Sequence, residues 1–285
     1  VVAEGVTQTD ASVTATMAGQ IRDRRSSVCL MARTAGAEVF AHDMGMLTRV
    51  EGVAGCHIAD GTGNIAAEPA MTREQACLAI EYGIELVRRY AAEGYNILVT
   101  GEMGIGNTTT SGAVASVLLD MPVETVTGRG AGLSDEGLVR KISAIRRAIE
   151  VNRPDPKDGL DVLSKLGGFD MAGMTGMFIG GALYRVPVVV DGLISSVAAL
   201  VAARLCPACR CAMIASHTSR EPAAQAILDE LGLEPIIYAN MKLGEGTGGV
   251  CMLPLLDMAL SVYNGSAAFA DTGIEQYSKL GGESK

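Results

Sequence analysis

The sequence contains no tryptophan and only four phenylalanines in 285 residues. Aromatic side chains make up 4% of the chain, although hydrophobic residues make up 48%. A buried core must therefore be built from aliphatic side chains and from 14 methionines, whose flexible side chains fill irregular space. The length allows one large α/β domain or two small ones.

The chain also lacks an excess of positive charge. It has 23 lysines and arginines against 32 aspartates and glutamates, which gives a net charge of −9. This balance argues against nucleic acid or an anionic membrane as a partner. A phosphorylated small molecule stays compatible with it, because a few cations and backbone amides can bind one phosphate. No apolar run approaches the roughly 18–20 residues of a membrane span, so we expect no transmembrane segment.

Features of secretion and of metal binding are missing as well. No secretory signal is visible and the cysteines are seven, an odd number, so we expect a reducing, cytoplasmic location. Residues 206–211, CPACRC, contain one C-x-x-C pair. A structural zinc site needs four ligands, and neither a second pair nor two histidines complete it. We therefore expect no metal; buried or half-buried thiols and a redox role stay open for this stretch.

Helical and extended patterns alternate from about residue 28. Strands are predicted over 37–46, 95–100, 186–192, 211–216 and 234–240. Helices are predicted over 28–36, 72–94, 108–120, 133–153, 157–166, 170–184, 193–205, 220–232 and 248–265, the last interrupted at Pro254. This alternation predicts an α/β fold with a mostly parallel sheet and helices on both faces, Rossmann-like in type. We expect residues 28–265 to form this core, and residues 1–27 with 266–285 to form a small helical subdomain.

Ligands of parallel sheets bind at the carboxyl ends of the strands, and the first of three glycine-rich loops follows one such end. It reads GEMGIGNTTT, residues 101–110. A P-loop needs Lys-Ser/Thr where Asn107-Thr108 stands, and a dinucleotide fingerprint needs glycine where Thr109 stands. The small residues still allow backbone amides to approach an anion at the start of a helix. A capped strand–helix turn explains the same residues equally well.

Two further loops combine glycine with a charged residue. Residues 126–141, VTGRGAGLSDEGLVRK, place glycines before a helix that carries Lys141, whose ammonium can reach back toward an anion. A solvated helix lysine is the alternative. Residues 242–249, KLGEGTGG, place Glu245 between glycines. Because glycines weaken a packed element, this pattern favours a carboxylate that contacts a ligand over a purely structural one.

Five segments together resemble a known family, in its order and spacing. They are GEMGIGNTTT, GRGAGLSDEGLVRK, GGFDMAGMTGMFIGGALYRVPVVVDGLISSVAAL, MIASHTSREP and LGEGTGG. The family is that of the nicotinate-nucleotide:dimethylbenzimidazole phosphoribosyltransferases, which activate the lower ligand of cobamides. The resemblance implies a pentosyltransferase that converts nicotinate mononucleotide and a benzimidazole into α-ribazole phosphate and nicotinate, without a metal or cofactor. It also implies a homodimer, and an N-terminal segment of the small domain that this chain lacks.

The same resemblance assigns residues. Glu245 is the base that takes the acceptor's proton, and Glu102 is a second carboxylate that stabilises the sugar cation or assists as a base. The phosphate and ribose are expected at Gly104, Gly106, Asn107, Thr108, Gly130 and Lys141. Gly246 is expected to contact substrate beside Glu245. Ser219 and Asp191 are either further substrate contacts or only a helix cap and a turn residue at a strand end. The acceptor is expected near residues 5–17, where Val6-Thr7-Gln8 departs from the family pattern, and near Met17, Met174 and Met177.

Three alternatives stay open at this point. A relative without catalytic activity would bind a nucleotide or an aromatic base and release no product. A phosphoribosyltransferase with a phenolic acceptor would use the same base, so Glu245 does not discriminate between acceptors. A P-loop NTPase would need the lysine that the first loop lacks.

Overall fold

The computed structural model describes residues 5–130 and 132–273. Five short strands lie within them: β1 (His42–Asp43), β2 (Ala54–Gly55), β3 (Leu98–Val99), β4 (Val188–Val190) and β5 (Met213–Ala215). Strand β4 lies between β3 and β5, and both pairings are parallel, with Val188 opposite Leu98 and Met213. Strands β1 and β2 form a second parallel pair. The predicted α/β class with parallel strands is therefore confirmed.

Most of the described chain is helical. The helices are α1 (Ser12–Arg22), α2 (Ser27–Thr34), α3 (Arg73–Ala92), α4 (Asn107–Leu119), α5 (Val123–Val126), α6 (Asp135–Asn152), α7 (Gly159–Leu166), α8 (Phe169–Tyr184), α9 (Leu193–Leu205), α10 (Ala224–Leu231), α11 (Thr247–Gly265) and α12 (Phe269–Thr272), with a 3-10 helix at Pro207–Ala212. The predicted capping box is present: Thr72 Oγ1 accepts from Gln75 N–H, and Gln75 accepts from Thr72 N–H. Ser134 caps α6 in a similar way, since its side chain accepts from Gly137 N–H.

Three predicted elements differ from the structure. The strand predicted over 37–46 is reduced to β1, because the Asp43 carboxylate accepts the N–H groups of Gly45 and Met46 and turns the chain. The strand predicted over 234–240 is a single bridge between His217 and Ile237. The predicted interruption at Pro254 is wrong: α11 continues through it, at the cost of the one hydrogen bond that proline cannot donate.

The ends of the described chain bear on the predicted subdomain. Helix α2 packs against the start of α11 through a small apolar cluster of Val28, Cys29, Ala32 and Val250. The division into residues 28–265 and residues 1–27 with 266–285 stays a prediction, and residues 1–4 and 274–285 lie outside the described part.

The seven cysteines are free thiols, and the cytoplasmic location also stays a prediction. Within the described ranges, no helix has the length and apolar character needed to cross a bilayer.

The main core lies around β4 and the helices on either side of the sheet. Strand β4 is fully buried, and α9 is buried along its first eleven residues. Helices α3 and α8 approach unusually closely, because glycines replace larger side chains where they cross. A Cβ atom on Gly83 would lie 2.0 Å from Gly173 O, and one on Gly176 would lie 1.9 Å from Ile80 O. These glycines therefore allow the backbones to pack without aromatic side chains between them.

This contact makes a testable prediction about stability. The Gly176→Ala substitution is expected to lower the free energy of unfolding by roughly 1–3 kcal/mol, because the added methyl overlaps Ile80 O and forces the helices apart. Urea unfolding measures the change. Gly265→Ala is the control, since a Cβ there meets no atom within 4 Å. Equal unfolding midpoints for the two variants would contradict the close approach.

Candidate active site

Two of the glycine-rich loops lie against each other and each begins a helix. Gly106 and Gly246 are the N-caps of α4 and α11, both in the left-handed conformation, with φ of 97° and 89°. Gly101 touches the loop of residues 242–249 so closely that a Cβ on Gly101 would lie 2.6 Å from Glu245 O. Glu245 itself has a φ of 61°, which non-glycine residues rarely adopt. Such strain is characteristic of functional positions held by the surrounding structure.

Asp191, which follows β4, holds the loop of residues 242–249 in place. Its Oδ2 accepts from Gly246 N–H at 3.1 Å and its Oδ1 accepts from Gly249 N–H at 3.0 Å. His217 packs beside this contact, and a Cβ on Gly248 would lie 2.0 Å from its Nδ1. Burial raises the pKa of Asp191, while the backbone donors and His217 oppose the shift. Both carboxylate oxygens are therefore engaged by backbone, which gives Asp191 a structural role at the N-terminus of α11.

The Glu245 carboxyl lines a cavity of about 1060 Å³. The residue is 8% exposed, and its Oε2 is buried without a hydrogen-bond partner. Burial raises the pKa of Glu245, and a hydrogen bond from the Val28 backbone N–H opposes the shift. A buried acceptor without a partner is costly, so this oxygen is suited to bind a donor group on a ligand.

Glu102 and Asn107 lie on the wall between this larger cavity and a smaller one of about 210 Å³, since both residues line both. Asn107 Nδ2 donates to Glu102 Oε2 and, at 2.9 Å, to Asp170 Oδ2. Burial raises the pKa of Glu102 to about 8, and the nearby charge of Asp170 adds to the shift. Glu102 is therefore largely protonated at neutral pH in the ligand-free site.

Lys141 provides a buried cation at the smaller cavity. It is 1% exposed, and its Nζ donates to Thr108 Oγ1 at 2.9 Å and to Gly128 O at 3.0 Å. Burial lowers its pKa to about 8, and Glu221 opposes the shift. The ammonium has three hydrogens, so one donor remains for an anion. The N-terminus of α4 opens on the same cavity and attracts negative charge.

The predicted site residues are distributed between the two cavities. The smaller cavity is lined by Gly106, Thr108, Gly130, Lys141 and Ser219, and the larger by Glu245, Gly246, Met174 and Met177, with Glu102, Gly104 and Asn107 common to both. Met17 lines neither of these two cavities, whereas Ala11 and Thr14 from the same stretch line the larger one. The described residues contain no cluster of three or more potential metal ligands.

Sequence reasoning missed Asp170 and Glu221. Asp170 lies in the first turn of α8, where acidic residues are common because they complement the helix dipole, so its position gave no distinctive signal. Glu221 Oε1 accepts from Gly130 N–H at 3.2 Å. This hydrogen bond connects the glycine-rich loop of residues 126–141 to the chain after β5. Gly128 makes room for this carboxylate, because a Cβ there would lie 1.9 Å from Glu221 Oε2.

Comparisons with known proteins agree with this geometry. A family model described as Phosphoribosyltransferase matches residues 1–274. The chain is 45% identical to the nicotinate-nucleotide–dimethylbenzimidazole phosphoribosyltransferase of Acetivibrio thermocellus, over 97% of this chain and 80% of that one. It is 44% identical to the enzyme of the same name from Ruminiclostridium cellulolyticum, over 98% of this chain and 80% of the relative.

Solved structures give the same result. The crystal structure of CobT from Thermus thermophilus matches with a TM-score of 0.91 at 36% identity, and covers 96% of this chain and 83% of that chain. A second structure, of a nicotinate-nucleotide–dimethylbenzimidazole phosphoribosyltransferase from the same organism, matches with a TM-score of 0.89 at 34% identity, and covers 96% of this chain and 82% of that chain. The family resemblance carried by the five sequence segments is therefore confirmed.

The protonation of Glu102 leads to a prediction about stability and pH. Because its folded pKa of about 8 lies above the ordinary value of 4.5, the folded state holds a proton that the unfolded state releases. Its contribution to stability is complete below about pH 4.5 and is lost as the pH rises through about 8, on the order of 5 kcal/mol in all. Glu102→Gln removes this titration, so its unfolding free energy is expected to fall less over that range.

Urea unfolding of both proteins at several pH values measures the difference. Glu234→Gln, at an exposed position, is the control and should follow the wild-type pH dependence. Parallel curves for wild type and Glu102→Gln would show that Glu102 is not protonated in the folded protein.

Proposed function

The chain belongs to the nicotinate-nucleotide–dimethylbenzimidazole phosphoribosyltransferase family, and from this premise we propose the reaction that its site performs. The enzyme transfers the phosphoribosyl group of nicotinate mononucleotide to a benzimidazole-type base, with α-ribazole 5′-phosphate and nicotinate as products, in the assembly of the cobamide nucleotide loop. One observation carries this proposal: Glu245, whose Oε2 is buried without a hydrogen-bond partner, lines an apolar cavity that adjoins the cavity of the buried Lys141.

The smaller cavity suits the phosphoribosyl group. Its phosphate is placed near Lys141 Nζ and the first amides of α4, because a buried ammonium and a helix N-terminus together attract a dianion. Gly104 and Gly106 let this backbone come close to the ligand, and Ser219 adds a hydroxyl to the same wall. The ribose then lies next to Glu102, between the two cavities.

The larger cavity suits a flat, weakly polar acceptor. Its lining near Glu245 includes Phe169 and the methionines Met44, Met103, Met174 and Met177, which form an adaptable apolar surface. No lysine or arginine of the described chain lines this cavity. A neutral benzimidazole is therefore favoured over a phenolic acceptor, which would have to react as an anion beside buried carboxyl groups.

The reaction requires little acid–base chemistry on the leaving side. The bond between ribose C1′ and the pyridinium nitrogen breaks, and its electron pair stays on nicotinate, whose ring becomes neutral. Positive charge develops on the sugar, which an ionised Glu102 stabilises. The unprotonated benzimidazole nitrogen attacks C1′, and the proton on its other nitrogen passes to Glu245. The raised pKa of Glu245 suits a base that works near neutral pH.

We also propose that the enzyme works as a homodimer in the cytoplasm. Helix α11 exposes several apolar side chains in its second half, among them Met258 at 57% and Leu260 at 55% exposure, and their burial against a second copy would favour association. Sedimentation velocity measures the oligomeric state directly. A monomer at micromolar concentration would contradict this part of the proposal.

Substitution of the proposed base is the main test. Glu245→Gln is expected to lower kcat/KM for nicotinate release by about 10²–10⁴-fold, because the acceptor's proton loses its recipient. The measurement is nicotinate released from nicotinate mononucleotide with 5,6-dimethylbenzimidazole. Glu234→Gln, an exposed glutamate, is the matched control and should keep wild-type turnover. A well-folded wild type that binds the nucleotide but releases no nicotinate would favour a binding protein over an enzyme.

Substitution of the buried lysine tests the phosphate position. Lys141→Met keeps the length of the side chain but removes its charge, so KM for nicotinate mononucleotide is expected to rise at least about tenfold, as for a lost charge-assisted hydrogen bond. The KM for the acceptor should stay near its wild-type value, because Lys141 does not line the larger cavity. Lys157→Met, on the surface, is the control. Equal changes in both KM values would argue for a structural effect instead.

A further inference from the structure

Asp170 is a half-buried carboxyl that the proposed mechanism does not use. Its Oδ2 accepts from Asn107 Nδ2 and its Oδ1 accepts from its neighbour Met171 N–H, both at 2.9 Å. The same Asn107 nitrogen donates its other hydrogen to Glu102 Oε2. One amide group therefore joins Glu102 and Asp170, although 68 positions separate them in the sequence. Asp170 lines the larger cavity with Glu102 and Glu245.

Within the described ranges, no ion pair gives these carboxyls a countercharge. None of the ion pairs recorded for the described residues includes Glu102, Asp170 or Glu245. Lys141, the buried cation nearby, lines only the smaller cavity and is bonded to Thr108 and Gly128. Two carboxylates held by one amide nitrogen without a cation repel each other, so a proton on the pair stabilises the empty site.

A second observation points to a ligand at this group of carboxyls. Glu245 Oε2, on the same cavity, is buried and has no hydrogen-bond partner. The proposed donor carries a positive charge on the pyridinium nitrogen bonded to ribose C1′, while the carboxylate of nicotinate lies on the far side of the ring, and the sugar becomes positive as that ring leaves. A cation of this kind would replace a proton as the countercharge of the carboxyl pair.

We propose that Glu102 and Asp170, joined by Asn107, share one proton in the empty site and release it to solvent when the cationic ring of the nucleotide donor enters. Asp170 then acts as a positioning residue: it shares Asn107 with Glu102 and sets how firmly Glu102 holds its proton. This inference rests on the proposed function for the identity of the donor. Donor binding is thereby coupled to pH, and the ionised Glu102 appears only when there is a positive charge for it to stabilise.

The electrostatics of the surrounding groups agree with this coupling. Burial raises the pKa of Glu102 to about 8, and Asp170, Asp191 and Glu245 all raise it further, against the hydrogen bond from Asn107. Burial also raises the pKa of Asp170. These three charged groups face Glu102 from the start of α8, from the end of β4 and from the loop before α11.

The test counts protons by titration calorimetry of the wild-type protein at about pH 7.5, in buffers that differ in ionisation enthalpy. Nicotinate mononucleotide is one ligand. Ribose 5-phosphate is the second, because it supplies the phosphate and sugar without the cationic ring. Protons exchanged at Lys141 are common to both, so the difference reports the carboxyl pair. We expect the nucleotide to release about 0.7 proton more than ribose 5-phosphate, the fraction protonated for a pKa near 8.

Asp170→Asn is the decisive variant, since its amide oxygen can still accept from Asn107. Removal of the neighbouring negative charge lets Glu102 ionise at lower pH, so the extra release should drop below about half of the wild-type value. The alkaline change in the pH profile of kcat/KM should move with it to lower pH. Asp229→Asn, on the surface of α10, is the control. Glu102→Gln should abolish the extra release and provides the measurement if Asp170→Asn does not fold.

Three outcomes overturn the inference: no extra release by the wild type, an unchanged release by Asp170→Asn, or an unchanged release by Glu102→Gln. If the enzyme releases nicotinate but shows any of these outcomes, the shared proton is contradicted and the proposed function is not. A wild type that neither binds nicotinate mononucleotide nor releases nicotinate contradicts the proposed function, and the inference falls with it.

Discussion

The hydrogen bonds from Gly246 and Gly249 to Asp191 are the contact on which the site depends. They bind the N-terminus of α11 to the end of β4, and so bring Glu245 against the loop after β3. No side chain larger than hydrogen fits at Gly101 or Gly248 in this arrangement. The strained backbone of Glu245 persists because the carboxylate on one side and the packed loop on the other leave it no relaxed alternative.

Charge is divided sharply between the two cavities. The smaller one contains Lys141 and the start of α4, whereas the larger contains Glu102, Asp170 and Glu245 and no lysine or arginine among the described residues. A substrate with a phosphate at one end and a positive ring at the other matches this division. In the proposed function, selectivity for such a nucleotide arises from the placement of charge in the two cavities, although the whole chain is acidic.

The core explains how a chain without tryptophan builds this site. Helices α3 and α8 pack backbone to backbone through glycines, and small side chains fill α9, so tight packing replaces aromatic volume. The close packing also fixes the start of α8, where Asp170 lies. Several methionines lie instead at the larger cavity, where the surface has to accommodate a ligand rather than a fixed neighbour.

The sequence by itself determined the α/β class, the capped helices and the three glycine-rich loops, because capping, periodicity and glycine act over a few residues. The glycine-rich patterns singled out Glu245 and Lys141, and the family resemblance added Glu102 and gave all three their expected roles. Only the tertiary structure decided that the first strand ends at Asp43, that Asp191 holds a loop, and that Asp170 shares an amide with Glu102. Such contacts join residues tens of positions apart, and no local pattern encodes which distant carboxyl a given amide will meet.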